Sequence, residues 1–62
     1  SNSILKKIGE ETAEFIMACK DGEASSISSE AADIIYHLQV ALLYKGVDWR
    51  DVLLVLAERA KR

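Results

Sequence analysis

The sequence predicts an all-α protein: an antiparallel bundle of three helices, completed by dimerisation. Proline is absent from the 62 residues, and no segment alternates apolar and polar residues as a half-buried strand does. Three segments have apolar residues at helical spacing, and glycine, which commonly ends helices, separates them. We therefore expect one domain, residues 1–62, with three helices joined by two glycine-containing turns.

The first helix is expected over residues 3–20, where apolar residues return every three or four positions. Ser3 can cap its start, and Asp21-Gly22 follows it as a stop signal. So short a connection favours antiparallel packing of the second helix on the first.

The second helix is expected to begin between residues 23 and 29 and to end near Lys45, before Gly46. Four serines in this stretch could each supply the N-cap: Ser25, Ser26, Ser28 and Ser29. From residue 31 onward the helix is apolar on nearly every side, so we expect it to be the enclosed central helix of a bundle or of an oligomer.

The third helix is expected to follow Asp48, the predicted N-cap, with Asp51 adding negative charge to its first turn. Val47 and Val52 occupy the positions of a hydrophobic staple around this cap. Apolar residues between positions 52 and 60 give the helix a side to bury.

The size of the chain predicts self-association. A domain this short buries little apolar surface, and the single cysteine, Cys19, rules out an internal disulfide. Half of the residues are nevertheless hydrophobic, which is more than one small monomer can cover. We therefore expect a homodimer built on the second and third helices.

Charge and hydropathy exclude several classes of partner. The net charge is −2 with acids and bases interspersed, so no basic stripe favours nucleic acid. Apolar runs such as residues 40–44 are too short to span a membrane, and no signal-peptide pattern is present. Together with the lone thiol of Cys19, these features predict a cytoplasmic protein.

Two groups of acids dominate the sequence: Glu10, Glu11 and Glu14 in the first helix, and Glu30 and Asp33 in the second. Helical spacing places Glu11 beside Glu14, and Glu30 beside Asp33. Carboxylates on a largely apolar face repel one another and resist desolvation. A hard divalent cation such as Mg²⁺ would offset both effects.

Simpler interpretations of these acids remain open. The three glutamates can form an ordinary solvated face, although Glu11 interrupts an apolar stripe. Glu30 or Asp33 can pair with a lysine of the first helix instead of a metal. Asp33 has apolar neighbours, so we expect it to be at least partly buried, and a buried carboxylate without a partner is costly.

Three basic residues near the acids also have two interpretations each. His37, one turn after Asp33, is either a core residue or a hydrogen-bond donor that orients Asp33. Lys6 and Lys7 precede the first acid group and are either solvated charges or neighbours of a phosphate site.

The arrangement E-E-x-x-E followed by E-x-x-D resembles the signature of the all-α, MazG-like nucleoside triphosphate pyrophosphohydrolases. The segments that contain these acids, KIGEE at 7–11 and EAADIIYHL at 30–38, closely resemble sequences of the phosphoribosyl-ATP pyrophosphohydrolase family. The segment 46–53 is similar to the final helix of that family. The resemblance extends over residues 4–59.

This resemblance implies Mg²⁺-dependent hydrolysis of the nucleotide phosphoribosyl-ATP to phosphoribosyl-AMP and pyrophosphate, the second step of histidine biosynthesis. It implies that the metal ligands are Glu11, Glu14, Glu30 and Asp33. Glu10, Glu11 and Glu14 would form the catalytic group, with Glu10 binding metal or orienting or deprotonating the attacking water.

The resemblance further implies that Lys6 and Lys7 contact the phosphates and that His37 supports a metal ligand. Members of the family usually have an additional N-terminal helix. Residues 1–62 contain no counterpart of it, so we expect part of the substrate pocket to be missing from them. Two other functions remain open: a house-cleaning pyrophosphohydrolase acting on noncanonical nucleotides, and a non-catalytic helical dimerisation module.

Overall fold

The computed structural model describes residues 2–61. It contains three helices: α1 is Asn2–Asp21, α2 is Ala24–Tyr44 and α3 is Trp49–Ala60. These residues contain no strand, so the prediction of an all-α chain with three helices is confirmed. Both predicted glycine turns are confirmed as well, because Gly22 and Gly46 adopt left-handed conformations with φ of 79° and 73°.

The turn between α1 and α2 has only two residues, Gly22 and Glu23. Gly22 N donates to Ala18 O at 3.0 Å and closes the end of α1. Glu23 takes the extended N-cap position of α2, but its side chain makes no capping hydrogen bond. The prediction of a serine cap for α2 is therefore wrong, because the short turn starts the helix before the four serines. Ser3 is not the cap of α1 either, since it already lies within the helix.

The connection from α2 to α3 follows the predicted pattern. Gly46 N donates to Leu43 O at 3.1 Å, and Val47 N donates to Leu42 O at 2.8 Å, which is the hydrogen bonding of a Schellman motif. Asp48 is the N-cap of α3, as predicted, and its carboxylate accepts from Arg50 N at 2.8 Å.

Packing joins α1 to α2, whereas α3 makes few contacts with either helix. The molecule accordingly measures 34 × 33 × 15 Å along its principal axes. Ala18 and Ala41 are the buried hydrophobic residues of the described chain. The bundle is thus incomplete within one chain.

The expectation that α2 is enclosed is wrong for a single chain. Leu43 is 81% exposed and Tyr36 is 61% exposed, because α3 does not fold back over α2. The total accessible surface is 4899 Å². A compact monomer of 6.9 kDa would expose about 4,000 Å². Exposed apolar side chains, such as Leu43 and Leu54, contribute to this excess. Among residues 2–61, no helix has both the length and the apolar character that a membrane span requires.

Candidate metal centre

Three carboxylates meet where α1 packs against α2. Glu11 and Glu14 lie one turn apart on α1, and Glu30 is on α2. One oxygen from each lies within 4.8 Å of the other two. His37 of α2 approaches Glu11, while Glu30 of α2 approaches Glu14, and this reversed order shows that the two helices run antiparallel. Three of the four predicted metal ligands therefore come together.

Glu11 is the most buried residue of this group, with 5% of its surface exposed. Its Oε1 lies 3.4 Å from Lys7 Nζ and 3.9 Å from His37 Nε2. Its Oε2 is buried and has no hydrogen-bond partner in the described chain. A buried oxygen without a partner is costly, so this atom marks a place where a cation would be stabilising.

The electrostatics of the other two carboxylates agree with this interpretation. The pKa of Glu14 is raised above its usual value, first by a hydrogen bond of its protonated form to Glu11 and then by the negative charge of Glu11. The pKa of Glu30 is raised chiefly by desolvation and then by the negative charge of Glu14. The ionised form of each carboxylate is therefore disfavoured beside its neighbours, and a divalent cation would stabilise that form.

Asp33 lies at the edge of this group. It is exposed, so the expectation that it is partly buried is wrong. The physical reason is that α1 is the one helix packed closely on α2, and the side of α2 that bears Asp33 remains in solvent. Its charge nevertheless contributes to the raised pKa values of Glu14 and Glu30, so it lies within electrostatic reach of both.

The remaining predicted residues differ in how close they are to the carboxylates. Glu10 is outside the three-carboxylate group, half exposed, with an oxygen 4.0 Å from Lys7 Nζ. Lys7 lies four residues before Glu11 and contacts it, while Lys6 is exposed. His37 lies beside Glu11 rather than making the hydrogen bond to Asp33 that the sequence suggested.

A groove of about 460 Å³ begins at the carboxylates and continues toward the α1–α2 turn. This volume is in the range of small-molecule sites. Ser26 and Ser29 line it and were not identified as site residues from the sequence. Ser26 precedes Glu30 by four residues, and that helical spacing was the available signal.

The sequence profile of the phosphoribosyl-ATP pyrophosphohydrolase family matches residues 1–60. The chain is 76% identical over 59 residues to the histidine biosynthesis bifunctional protein HisIE of a Prochlorococcus marinus strain, covering 95% of this chain and 27% of that protein. It is 47% identical over 58 residues to the phosphoribosyl-ATP pyrophosphatase of Haloarcula marismortui, covering 94% of this chain and 59% of that protein. The chain thus spans about a quarter of the length of the bifunctional relative.

Proposed function

The chain belongs to the phosphoribosyl-ATP pyrophosphohydrolase family, and we propose that it hydrolyses phosphoribosyl-ATP to phosphoribosyl-AMP and pyrophosphate. This reaction is a step of histidine biosynthesis, and we assign it to the cytoplasm. The observation that carries the proposal is the buried Glu11 Oε2, which lacks a partner within a group of three carboxylates. Such a group suits an enzyme whose substrate brings a triphosphate and a divalent cation.

The residues present fit Mg²⁺. The donors are carboxylate oxygens, which this hard cation prefers, and three of them already lie within 4.8 Å of one another. We propose Glu11, Glu14, Glu30 and Asp33 as the protein ligands, with Asp33 approaching from the exposed edge. When bound, Mg²⁺ would neutralise phosphate charge and lower the pKa of a coordinated water.

The reaction adds one water across the bond between the α- and β-phosphates. The new bond joins the water oxygen to one of these two phosphorus atoms, the anhydride bond between them breaks, and phosphoribosyl-AMP and pyrophosphate separate. We assign Glu10, which is half exposed and precedes Glu11 in α1, to orienting this water or accepting its proton. Lys6 and Lys7 extend from the same end of α1 and would hold phosphate oxygens by charge.

We also propose that the protein acts as a homodimer that buries exposed apolar side chains of α2 and α3. A single chain exposes about 900 Å² more than a compact monomer of its mass, and a standard interface buries about 800 Å² per partner. Four consecutive apolar residues of α3 are each close to half exposed or more: Leu53, Leu54, Val55 and Leu56.

A product assay tests the proposed activity. The purified protein is incubated with Mg²⁺ and phosphoribosyl-ATP, and in parallel with ATP, dUTP or ITP, and pyrophosphate release is followed. We expect release from phosphoribosyl-ATP and little from the other nucleotides. Glu14→Gln should abolish it, whereas Glu58→Gln, which removes a carboxylate of α3, should not. Preferential turnover of the noncanonical nucleotides would indicate a house-cleaning enzyme, and no turnover at all would contradict the proposal.

A further inference from the structure

Nitrogen donors lie near only one oxygen of the Glu11 carboxylate in the described residues. Lys7 Nζ and His37 Nε2 lie 3.4 Å and 3.9 Å from the same oxygen, Oε1. The other oxygen, Oε2, is buried without a hydrogen-bond partner in the part of the chain that the structure describes. The two oxygens of this carboxylate thus have different environments: Oε1 lies beside two nitrogen donors, and Oε2 is buried without a donor.

We propose that His37 is a positioning residue: its Nε2–H donates to Glu11 Oε1 and so leaves Oε2 free to face Glu14 and Glu30. The proposal rests on the metal site of the proposed function. The 3.9 Å separation exceeds hydrogen-bond length. Because the last torsion of each side chain has a broad energy profile, a small rotation closes the gap.

His37 is better placed for this role than Lys7. The Lys7 side chain is 48% exposed and belongs to the same helix as Glu11, whereas that of His37 is 22% exposed and belongs to α2. The His37 and Tyr36 rings pack edge to face, with centroids 5.1 Å apart and planes at 75°. His37 and Glu30 are two turns apart on α2, so a His37–Glu11 bond fixes the ligand of α1 relative to the ligand of α2.

This positioning role is specific to a donor at the ε position. Glutamine places an amide nitrogen about where Nε2 lies, whereas asparagine is one carbon shorter and cannot reach Glu11. Both replacements are polar and uncharged, so neither leaves an apolar group beside the carboxylate. The pair His37→Gln and His37→Asn therefore separates the hydrogen bond from the general polarity of the position.

The test measures metal affinity without nucleotide. Mn²⁺ is titrated into the protein and the free ion is followed by electron paramagnetic resonance. We expect His37→Asn to weaken Mn²⁺ binding about 10–100-fold, the range for lost support of a metal ligand. His37→Gln should retain most of the affinity. Gln39→Asn makes the same shortening elsewhere on α2 and should bind as the wild type does.

Any one of the following results would overturn the proposal. The first is that His37→Asn binds Mn²⁺ as tightly as the wild type. The second is that His37→Gln binds Mn²⁺ as weakly as His37→Asn, although the two variants have the same melting temperature without metal. Wild-type protein that binds no Mn²⁺ would remove the metal site itself, and the proposal with it. Loss of binding in Glu14→Gln but not in His37→Asn would reject the positioning role and keep the site.

Discussion

The Lys7 ammonium lies 3.4 Å from the Glu11 carboxylate, one helical turn away on α1. Glu11 is buried and also faces Glu14 and Glu30, so this lysine provides a positive charge next to three clustered acids. The pair is asymmetric, because the Lys7 side chain is half exposed while that of Glu11 is 7% exposed. The stability of the metal-free chain should therefore depend on Lys7.

Replacement of Lys7 by methionine should destabilise the metal-free protein. The buried carboxylate of Glu11 would lose its nearest donor, and leaving such a group unsatisfied costs about 1–3 kcal/mol. Chemical denaturation at neutral pH measures the change. Lys20→Met removes the same charge from the exposed end of α1 and should have little effect. Mg²⁺ should reduce the loss in Lys7→Met, and a loss that is equal with and without the cation would contradict this account.

Mg²⁺ should raise the melting temperature of the wild-type protein, because a ligand that binds only the folded state stabilises it. Glu30→Gln should remove the rise, since it takes one of the three clustered oxygens out of the site. Glu58→Gln is the matched control and should keep the full rise. Equal rises in all three proteins, measured by circular dichroism, would count against a metal site at these residues.

Asp33→Asn examines the fourth proposed ligand separately. If Asp33 joins the metal from the exposed edge, this variant should lose the Mg²⁺-dependent rise in melting temperature as Glu30→Gln does. The same carboxylate raises the pKa values of Glu14 and Glu30 in the metal-free chain. A rise as large as that of the wild type would limit the ligands to Glu11, Glu14 and Glu30.

The metal-free protein should lose stability as pH rises through the acid range. The pKa of Glu14 is raised by its hydrogen bond to Glu11 and by the charge of Glu11, above a usual value of 4.5. The folded chain therefore binds more protons than the unfolded chain just above that pH. This contribution to stability is complete below pH 4.5 and is lost as pH rises through the raised pKa.

Glu14→Gln should remove this dependence. Its melting temperature should exceed that of the wild type at pH 7 without metal, and the two should converge at low pH where Glu14 is protonated. Thermal denaturation between pH 4 and pH 8, with Glu58→Gln as the control, measures the difference. A difference in melting temperature that stays constant across this range would indicate that the neighbouring groups do not raise the pKa of Glu14.

Leu54→Glu should shift the protein from dimer to monomer. Leu54 is 67% exposed on a helix that makes few contacts within its own chain, so a dimer would cover it and a buried charge would oppose association. Ser28→Glu introduces the same charge at an exposed polar position of α2 and should leave the dimer intact. Light scattering at micromolar concentration tests both, and a well-folded wild-type monomer would contradict the proposed assembly.

Much of the fold was predictable because its signals are local. Gly22 and Gly46 marked both turns, and Asp48 marked the start of α3, since caps and left-handed residues depend on their immediate neighbours. The start of α2 was less predictable. Four serines competed as caps, and the two-residue turn then placed the helix start before all of them.

The site was predictable in part for the same reason. Helical spacing put Glu11 beside Glu14, and a short turn between antiparallel helices brought Glu30 to them. The partner of His37 was not predictable in this way. Spacing along α2 suggested Asp33, but the donor faces Glu11 of α1, and contacts between helices depend on how each is rotated about its axis.

The sequence by itself thus determined three helices, their turns and a group of acids at spacings suited to a divalent cation. Tertiary structure alone decided that Oε2 of Glu11 is buried without a partner, that Asp33 stays at the exposed edge, and that α3 stands away from the other helices. The physical reason is that spacing fixes which residues share a face, whereas burial depends on which other surface, in the same chain or in a second copy, covers that face.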